Sequence, residues 1–324
     1  MSAANLRIAR GIGPAGWPEP GVPGRPDSAE PSSAVIRSLA DRMTAGLRSG
    51  AFQRMVVPLR EIVTDSTGTM FLSMPAVSAD YGLFINKTAT IVPAGSGGGA
   101  TVTSVVSVFC TETGRLLGVL DGALVTNLKC AAVTALVTDR CAAEASGVLG
   151  IIGAGVQARE QYRAVSAVRD IAEVRVHSRT PQHAAAFARY IAENAPTGVA
   201  VRVCDSVEQA SRGVDILATA TTSSDPLPIS TELPEHVHIN CMGAHTTVSR
   251  ELTADLLRTG VLIVEDLPTA IAEAGELHRR AIDLKALDAL PVAELRQQRT
   301  IFSSTGCASL DLVTCVQLNP AAYG

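Results

Sequence analysis

The sequence predicts an α/β protein in which a doubly wound parallel sheet follows a second, antiparallel architecture. Three observations predict it. From residue 148 onward, short apolar runs (VLGIIGAG, VRVHS, VAVRVCD, DILATATT, HVHINCMG, VLIVED) recur, several of them separated by helical stretches, which is the rhythm of strand–helix–strand crossovers. Residues 50–125 instead carry β-rich runs joined by hairpin-length connections. Apolar residues make up 47% of the 324 positions but aromatic ones only 3%, so the core is built from Ala, Val, Leu and Ile, as in helix-covered parallel sheets. A chain of this length suggests about two domains.

Taken in order, residues 11–32 are dense in Gly and Pro and cannot hold a helix or a central strand, so residues 1–30 read as an arm. Ser32 or Ser33 can cap the next segment, whose apolar positions (Val35, Ile36, Leu39, Met43, Leu47) have helical spacing. The runs MVVPLREIV, TMFLSMPA, LFINKTATIV, TVTSVVSVF and LLGVLDGALV follow as strands, and an Ala-rich helix is expected over about 127–144. Helices are also expected after the glycine turn near 153, over 181–193 and over 206–212. The closing TIFSSTGCASLDLVTCVQL reads as a strand end, a turn at Gly306 and a helix.

Composition excludes several classes of function. Lys plus Arg total 27 against 31 acidic residues, a formal charge of −4, so there is no basic footprint for a nucleic acid. Seven scattered cysteines without a Cys-x-x-Cys pair argue for buried thiols in a reducing compartment, and against disulfides or structural zinc. Cys130, Cys241 and Cys307 read as small core residues, and His236-x-His238 as strand rather than metal site. No apolar leader and no 18-residue apolar run occur, so a cytoplasmic chain without a membrane partner is expected.

The most informative motif is Gly153-Ala154-Gly155-Val156-Gln157-Ala158, which follows an apolar strand and opens a helix. The first glycine permits a tight turn, the second lets backbone approach a diphosphate, and Ala158 keeps the helix close to the sheet. Ala220 and Thr221, at the end of DILATATT, are counted with this cofactor site. An NAD site usually places an acid at the end of the second strand to bind the ribose hydroxyl. Here His177-Ser178-Arg179-Thr180 offers none; Arg179 can pair with a 2′-phosphate, and Ser178 and Thr180 can donate to it. NADP(H) is therefore expected over NAD(H).

The motifs MFLSMPA, NKTATIVP, GRLLGVLDGALVTNLKCAAVTAL, GIIGAGVQA, INCMGAHTTVSREL and FSSTGCASLDL, in that order over about 32–318, resemble the ornithine cyclodeaminase/mu-crystallin family. The resemblance implies a Rossmann domain over 126–305, and a substrate-binding and dimerisation domain built from 31–125 with 306–324. It also implies a homodimer with the active site between the domains, acting on small amino or imino acids. It makes Arg60 the grip on a substrate carboxylate and Lys87 a substrate-side proton carrier. Thr126 falls near the cofactor phosphates, Met242 and Gly243 beside the nicotinamide, and Ser304 near its amide. Asp311 matches a recurrent aspartate, with helix packing or capping as the alternative role.

Two positions depart from the family pattern. Lys129 stands where arginine is usual, replacing a planar fork with a flexible point charge; as a first-turn lysine it would be disfavoured by the helix dipole, which favours an anion-binding role. His245 stands where cyclodeaminases carry an aspartate, and Ser249 where they carry a lysine. The resemblance thus points to an NADPH-dependent reductase of a small cyclic imino acid such as pyrroline- or piperideine-2-carboxylate. Arg60 and Lys129 would hold the carboxylate, and Lys87 or His245 would supply the proton. An ornithine or lysine cyclodeaminase, an opine-type amino-acid dehydrogenase, and a non-catalytic NADPH-binding protein stay open as alternatives.

Overall fold

The computed structural model describes residues 32–92, 101–243 and 246–318; the arm over 1–30 and His245 lie outside them. Two compact units divide the chain. One comprises Ala45–Lys129 with the helix that begins at Ala308; the other comprises Ser33–Thr44 and Cys130–Cys307. The expected division had placed all of 31–125 on the antiparallel side, whereas residues 33–44 group with the parallel sheet.

Helix α1 (Ser33–Arg48) buries Ile36, Leu39, Met43 and Leu47 along one face, at the spacing an amphipathic helix requires. A short α2 (Ala51–Arg54) follows Gly50. The expected strand over 55–63 shrinks to β1 (Glu61–Thr64), with a single isolated bridge from Val56 to Val77 before it. Pro58 has no N–H to give and interrupts the ladder. The strands β2 (Met70–Ser78), β3 (Leu83–Val92), β4 (Thr101–Cys110) and β5 (Leu116–Asp121) then continue an antiparallel meander in the order β1-β2-β3-β4-β5. On β3 the period of two buries Leu83, Ile85 and Ala89 together with Lys87. A lysine therefore shares the core face.

Helix α3 (Gly122–Cys141) starts five residues earlier than expected. The apolar run GALV reads as strand, but the Asp121 carboxylate accepts the Leu124 amide at 2.9 Å and ends β5 by capping the helix. The interior of α3 is buried on every side over Ala131–Val133 and around Ala135 and Val137, so apolar periodicity could not locate its beginning.

The second unit alternates as the rhythm demands: β6 (Val148–Ile152), α4 (Val156–Val168), β7 (Glu173–His177), α5 (Pro181–Asn194), β8 (Ala200–Val203), α6 (Val207–Ser211), β9 (Ile216–Thr219) and β10 (His238–Cys241). After it come α7 (Ala254–Arg258), β11 (Val261–Val264), α8 (Leu267–Ala274), β12 (Ile282–Asp283), α9 (Leu284–Ala289), α10 (Val292–Leu295) and β13 (Thr300–Ser303). The chain then passes Gly306 (φ 79°) into α11 (Ala308–Leu318), which packs on β2 and β3 of the antiparallel sheet. The eight strands are ordered β12-β11-β13-β10-β9-β6-β7-β8 and every pairing is parallel. Reading β8-β7-β6-β9-β10-β13 gives the Rossmann order, with the switch point between β6 and β9. Strand β13 inserts between β10 and β11.

His238 is fully buried in β10, its ring nitrogens 2.8 Å from the Thr300 hydroxyl and 3.1 Å from the side-chain Oδ1 of Asn240. Burial pushes its pKa down to about 3. The folded protein thus keeps it neutral while the unfolded chain takes up a proton below about pH 6.5. Its stabilising effect is complete above that pH and is lost as pH falls toward about 3. Unfolding free energy should fall by about 1.4 kcal/mol per pH unit between pH 6 and 5 through this residue alone. Denaturant titrations of His238→Gln should show a slope shallower by about one proton; equal slopes would refute the assignment.

Candidate active site

Chemistry-bearing residues collect at two places, one in each unit. In the parallel unit, β6 ends at Ile152 and the chain turns at Gly153 with φ 116°, which L side chains rarely adopt. Its N–H donates to the His177 carbonyl at 2.8 Å, and a Cβ built there would lie 2.3 Å from the Ala220 carbonyl oxygen. Gly155 occupies the N-cap of α4 without any side-chain cap, and a Cβ at that position would meet nothing within 4 Å. The first N–H groups of an α-helix have no acceptor within the helix, and the N-cap glycine here has no side chain to offer one. Val156 beside them is 58% exposed, while Ala158 is buried against the sheet. An uncapped 13-residue helix, opening onto free space at the switch point of a parallel sheet, fits a dinucleotide diphosphate. Ala154 and Gln157 are half-buried in the same turn.

At the end of β7, Arg179 is exposed, and Ser178 and Thr180 are half-buried. Thr180 is the N-cap of α5, yet its side chain makes no capping bond. No carboxylate follows the strand in 177–180.

The ends of β9, β10 and β13 are held by two buried acids that sequence reasoning missed. Glu251 accepts from the amide and hydroxyl of Thr221 (2.6 Å each), the Thr219 hydroxyl (2.7 Å) and the Gly243 amide (2.8 Å). Glu265, directly after β11, accepts from the Ser304 hydroxyl and from the amides of Thr305 (3.0 Å) and Gly306 (3.2 Å). An acid placed immediately after four apolar strand residues was the available signal for Glu265; for Glu251 the signal was its place in the motif INCMGAHTTVSREL. Met242 is half-buried, its amide bonded to the Thr219 carbonyl at 2.8 Å and its sulfur 3.8 Å from the Thr134 hydroxyl. Cys241 is fully buried; burial, then the charge of Glu251, pushes its thiol well up and keeps it protonated.

In the antiparallel unit, three elements remote in sequence bring two ammonium groups onto one carboxylate. Lys87 of β3 and Lys129 of α3 approach the same oxygen of Asp311 on α11, at 3.6 and 3.9 Å. The three residues are 6%, 4% and 0% exposed. Lys87 also donates to the Thr126 hydroxyl at 2.6 Å, which donates in turn to the Gly122 carbonyl at 2.6 Å. Thr126, expected beside phosphates, thus engages the lysine. Because α3 begins at Gly122, Lys129 is not in its first turn, and the dipole argument for it falls away. Asp311, expected as a packing residue or a cap, is instead the shared ion-pair partner of both lysines. Arg60 lies just before β1 and is half-buried. These three charged groups alone sum to one net positive charge when ionised, an arrangement that attracts a small anion. Among the described residues no group of three His, Cys, Asp or Glu side chains could hold a metal ion, and no helix is long and apolar enough to cross a membrane.

The family model described as the ornithine cyclodeaminase/mu-crystallin family matches residues 31–319. The chain belongs to this family. It is similar to the ketimine reductase mu-crystallin of Mus musculus, 31% identical over 289 residues, covering 87% of this chain and 90% of that protein. Among solved structures it resembles the Δ1-pyrroline-2-carboxylate reductase of Thermococcus litoralis in complex with NADH and L-proline. There the TM-score is 0.76 at 25% identity, with 88% of this chain and 92% of the other covered. A lysine cyclodeaminase, solved for its recognition of L-lysine, L-ornithine and L-2,4-diaminobutyric acid, gives a TM-score of 0.78 at 29% identity, covering 90% and 87% of the two chains.

Position 153 should tolerate no Cβ. Gly153→Ala must either leave its φ or displace the Ala220 carbonyl, and should weaken binding of reduced pyridine nucleotide at least tenfold in a fluorescence titration. Val102→Ala, at an exposed position of the antiparallel sheet, should stay within a few-fold of the parent. A Gly153→Ala protein with unchanged affinity would dissociate this turn from the nucleotide.

Proposed function

We propose that the chain is an NADPH-dependent reductase of small cyclic imino acids of the pyrroline- or piperideine-2-carboxylate class. The observation that carries this reading is the buried Lys87–Asp311–Lys129 cluster in a chain that also has an open dinucleotide turn. Burying ammonium groups carries a penalty of several kcal/mol per ion before pairing, so two lysines around one carboxylate need a reason beyond stability. A substrate carboxylate held by Lys129 and Arg60 is such a reason. Lys87 then stands as the proton donor to the imine nitrogen, converting it to an iminium, a contribution of typically about 10²–10⁴-fold. A bound reduced nicotinamide supplies the hydride to the imine carbon. The parallel unit holds the nucleotide through Gly153–Gln157, Ala220, Thr221, Met242, Gly243 and Ser304. Ser178, Arg179 and Thr180 hold its 2′-phosphate. The antiparallel unit takes the imino acid and forms a homodimer. The relatives named ketimine reductase and Δ1-pyrroline-2-carboxylate reductase support this class of substrate.

A second reading, cyclisation of a diamino acid with loss of ammonia, draws on the likeness to lysine cyclodeaminase. His245 and Ser249 replace the aspartate and lysine that the resemblance assigns to that reaction. The two differ in stoichiometry: a reductase consumes one NADPH per imine, and a cyclodeaminase releases ammonia without net oxidation.

NADPH oxidation should follow addition of Δ1-piperideine- or Δ1-pyrroline-2-carboxylate. Lys87→Met should lower kcat by a factor of 100 or more, and Lys129→Met should act mainly on KM for the imino acid. Near-normal turnover in Lys87→Met removes lysine from the chemistry. For the nucleotide, Arg179→Ala should raise KM for NADPH about tenfold, on the order of 1.4 kcal/mol, and leave KM for NADH unchanged. A parent enzyme that prefers NADH rejects the 2′-phosphate assignment.

A further inference from the structure

Every donor on the Glu251 carboxylate comes from the carboxyl ends of two adjacent parallel strands. One oxygen takes the amide and hydroxyl of Thr221; the other takes the Thr219 hydroxyl and the Gly243 amide, with the Cys241 sulfur at 3.4 Å. The residue is fully buried. Gly243 also leaves no room for anything else, since a Cβ there would lie 2.2 Å from the Glu251 carboxyl carbon. Thr221 immediately follows Ala220, and the Ala220 carbonyl is the wall against which Gly153 turns. The carboxylate is thus one residue removed from the floor of the glycine turn on one side, and bonded directly to the end of β10 on the other.

A buried anion adds stability poorly compared with an apolar side chain of similar volume, but with a full set of donors it fixes geometry tightly. Sites that bind through backbone amides depend on such fixing, because sub-ångström looseness degrades them. We propose that Glu251 is a positioning residue for the nucleotide: by tying Thr221 to Gly243 it sets the distance between the diphosphate turn and the strand end at Gly243, and so governs affinity for the cofactor. This rests on the nucleotide reading given above.

The test is calorimetric titration of the full chain with NADPH and with NADH. Glu251→Gln replaces an acceptor oxygen by an NH2 that faces donors, so one of the two strand ends must come loose. Both dissociation constants should rise at least tenfold and by the same factor, because the clamp acts on the part common to the two nucleotides; Arg179→Ala would affect NADPH alone. Thr138→Ala, which removes the hydroxyl bonded to the Asn240 amide at 3.0 Å in the same unit, serves as the stability control and should leave both constants unchanged. If Glu251→Gln does not fold, Thr219→Val, which removes one donor from the carboxylate, should weaken both nucleotides about threefold, with Thr219→Ser restoring them. A folded Glu251→Gln protein binding within twofold of the parent overturns the proposal, as does Thr219→Val indistinguishable from Thr219→Ser. A parent protein that binds neither nucleotide defeats the nucleotide reading itself, a distinct result.

Discussion

The contact between Gly153 and the Ala220 carbonyl is the constraint around which the parallel unit is arranged. A strand that must turn sharply into a helix can do so only where the neighbouring strand end comes within van der Waals reach of its α-carbon, and only glycine satisfies both requirements at φ 116°. Once that turn is fixed, the rest follows locally. Helix α4 starts at a glycine with no capping side chain, a Cβ built on that glycine would meet nothing within 4 Å, and Ala158 is buried. The switch point between β6 and β9 is where the strand order reverses, so the crevice lies where neither flanking helix can cover it.

The antiparallel unit solves a different problem. Alternation along β3 drives Lys87 to the core side, where a solitary ammonium would be intolerable. Asp311 and the Thr126 hydroxyl make it tolerable, and Lys129 joins the same carboxylate oxygen. Such a cluster is a poor investment for folding alone, since well-packed apolar residues of the same volume commonly do as well. It sits in a core whose other buried side chains on β2 and β3 include Leu72, Met74, Ala76, Leu83, Ile85 and Ala89.

Much of this was legible in the sequence, and the unread part has physical causes. The alternation of apolar runs and helices marked β6 to β10, and the glycine spacing marked the turn, because both depend on local rules. The start of α3 was hidden because GALV is apolar enough for either state, and only the Asp121 carboxylate decides between them. Pro58 shortened a strand that its neighbours would have extended. The segment over 265–299 breaks into helices of four to eight residues, too short for periodicity to register. In the site, Lys87 and Lys129 could be singled out, but their meeting at Asp311 is a tertiary fact. Glu251 lay inside the motif INCMGAHTTVSREL, but its role was not legible there, because it depends on five donors that converge only in the fold.

Asp311 bears on how lysine can stand at position 129. Arginine delivers a fixed fork and needs a partner shaped to match, whereas an ammonium group is a point charge that accepts an anion from many directions. Asp311 pairs with Lys129 by charge at 3.9 Å, beyond hydrogen-bonding distance. Directional precision is instead concentrated in the parallel unit, where Glu251 and Glu265 hold backbone amides at hydrogen-bonding distance. Rigid placement thus falls on the unit that carries the glycine turn, and adaptable charge on the unit with the lysines. Side chains around Lys129 can therefore change without touching the residues that fix the turn at Gly153, because the two belong to different units.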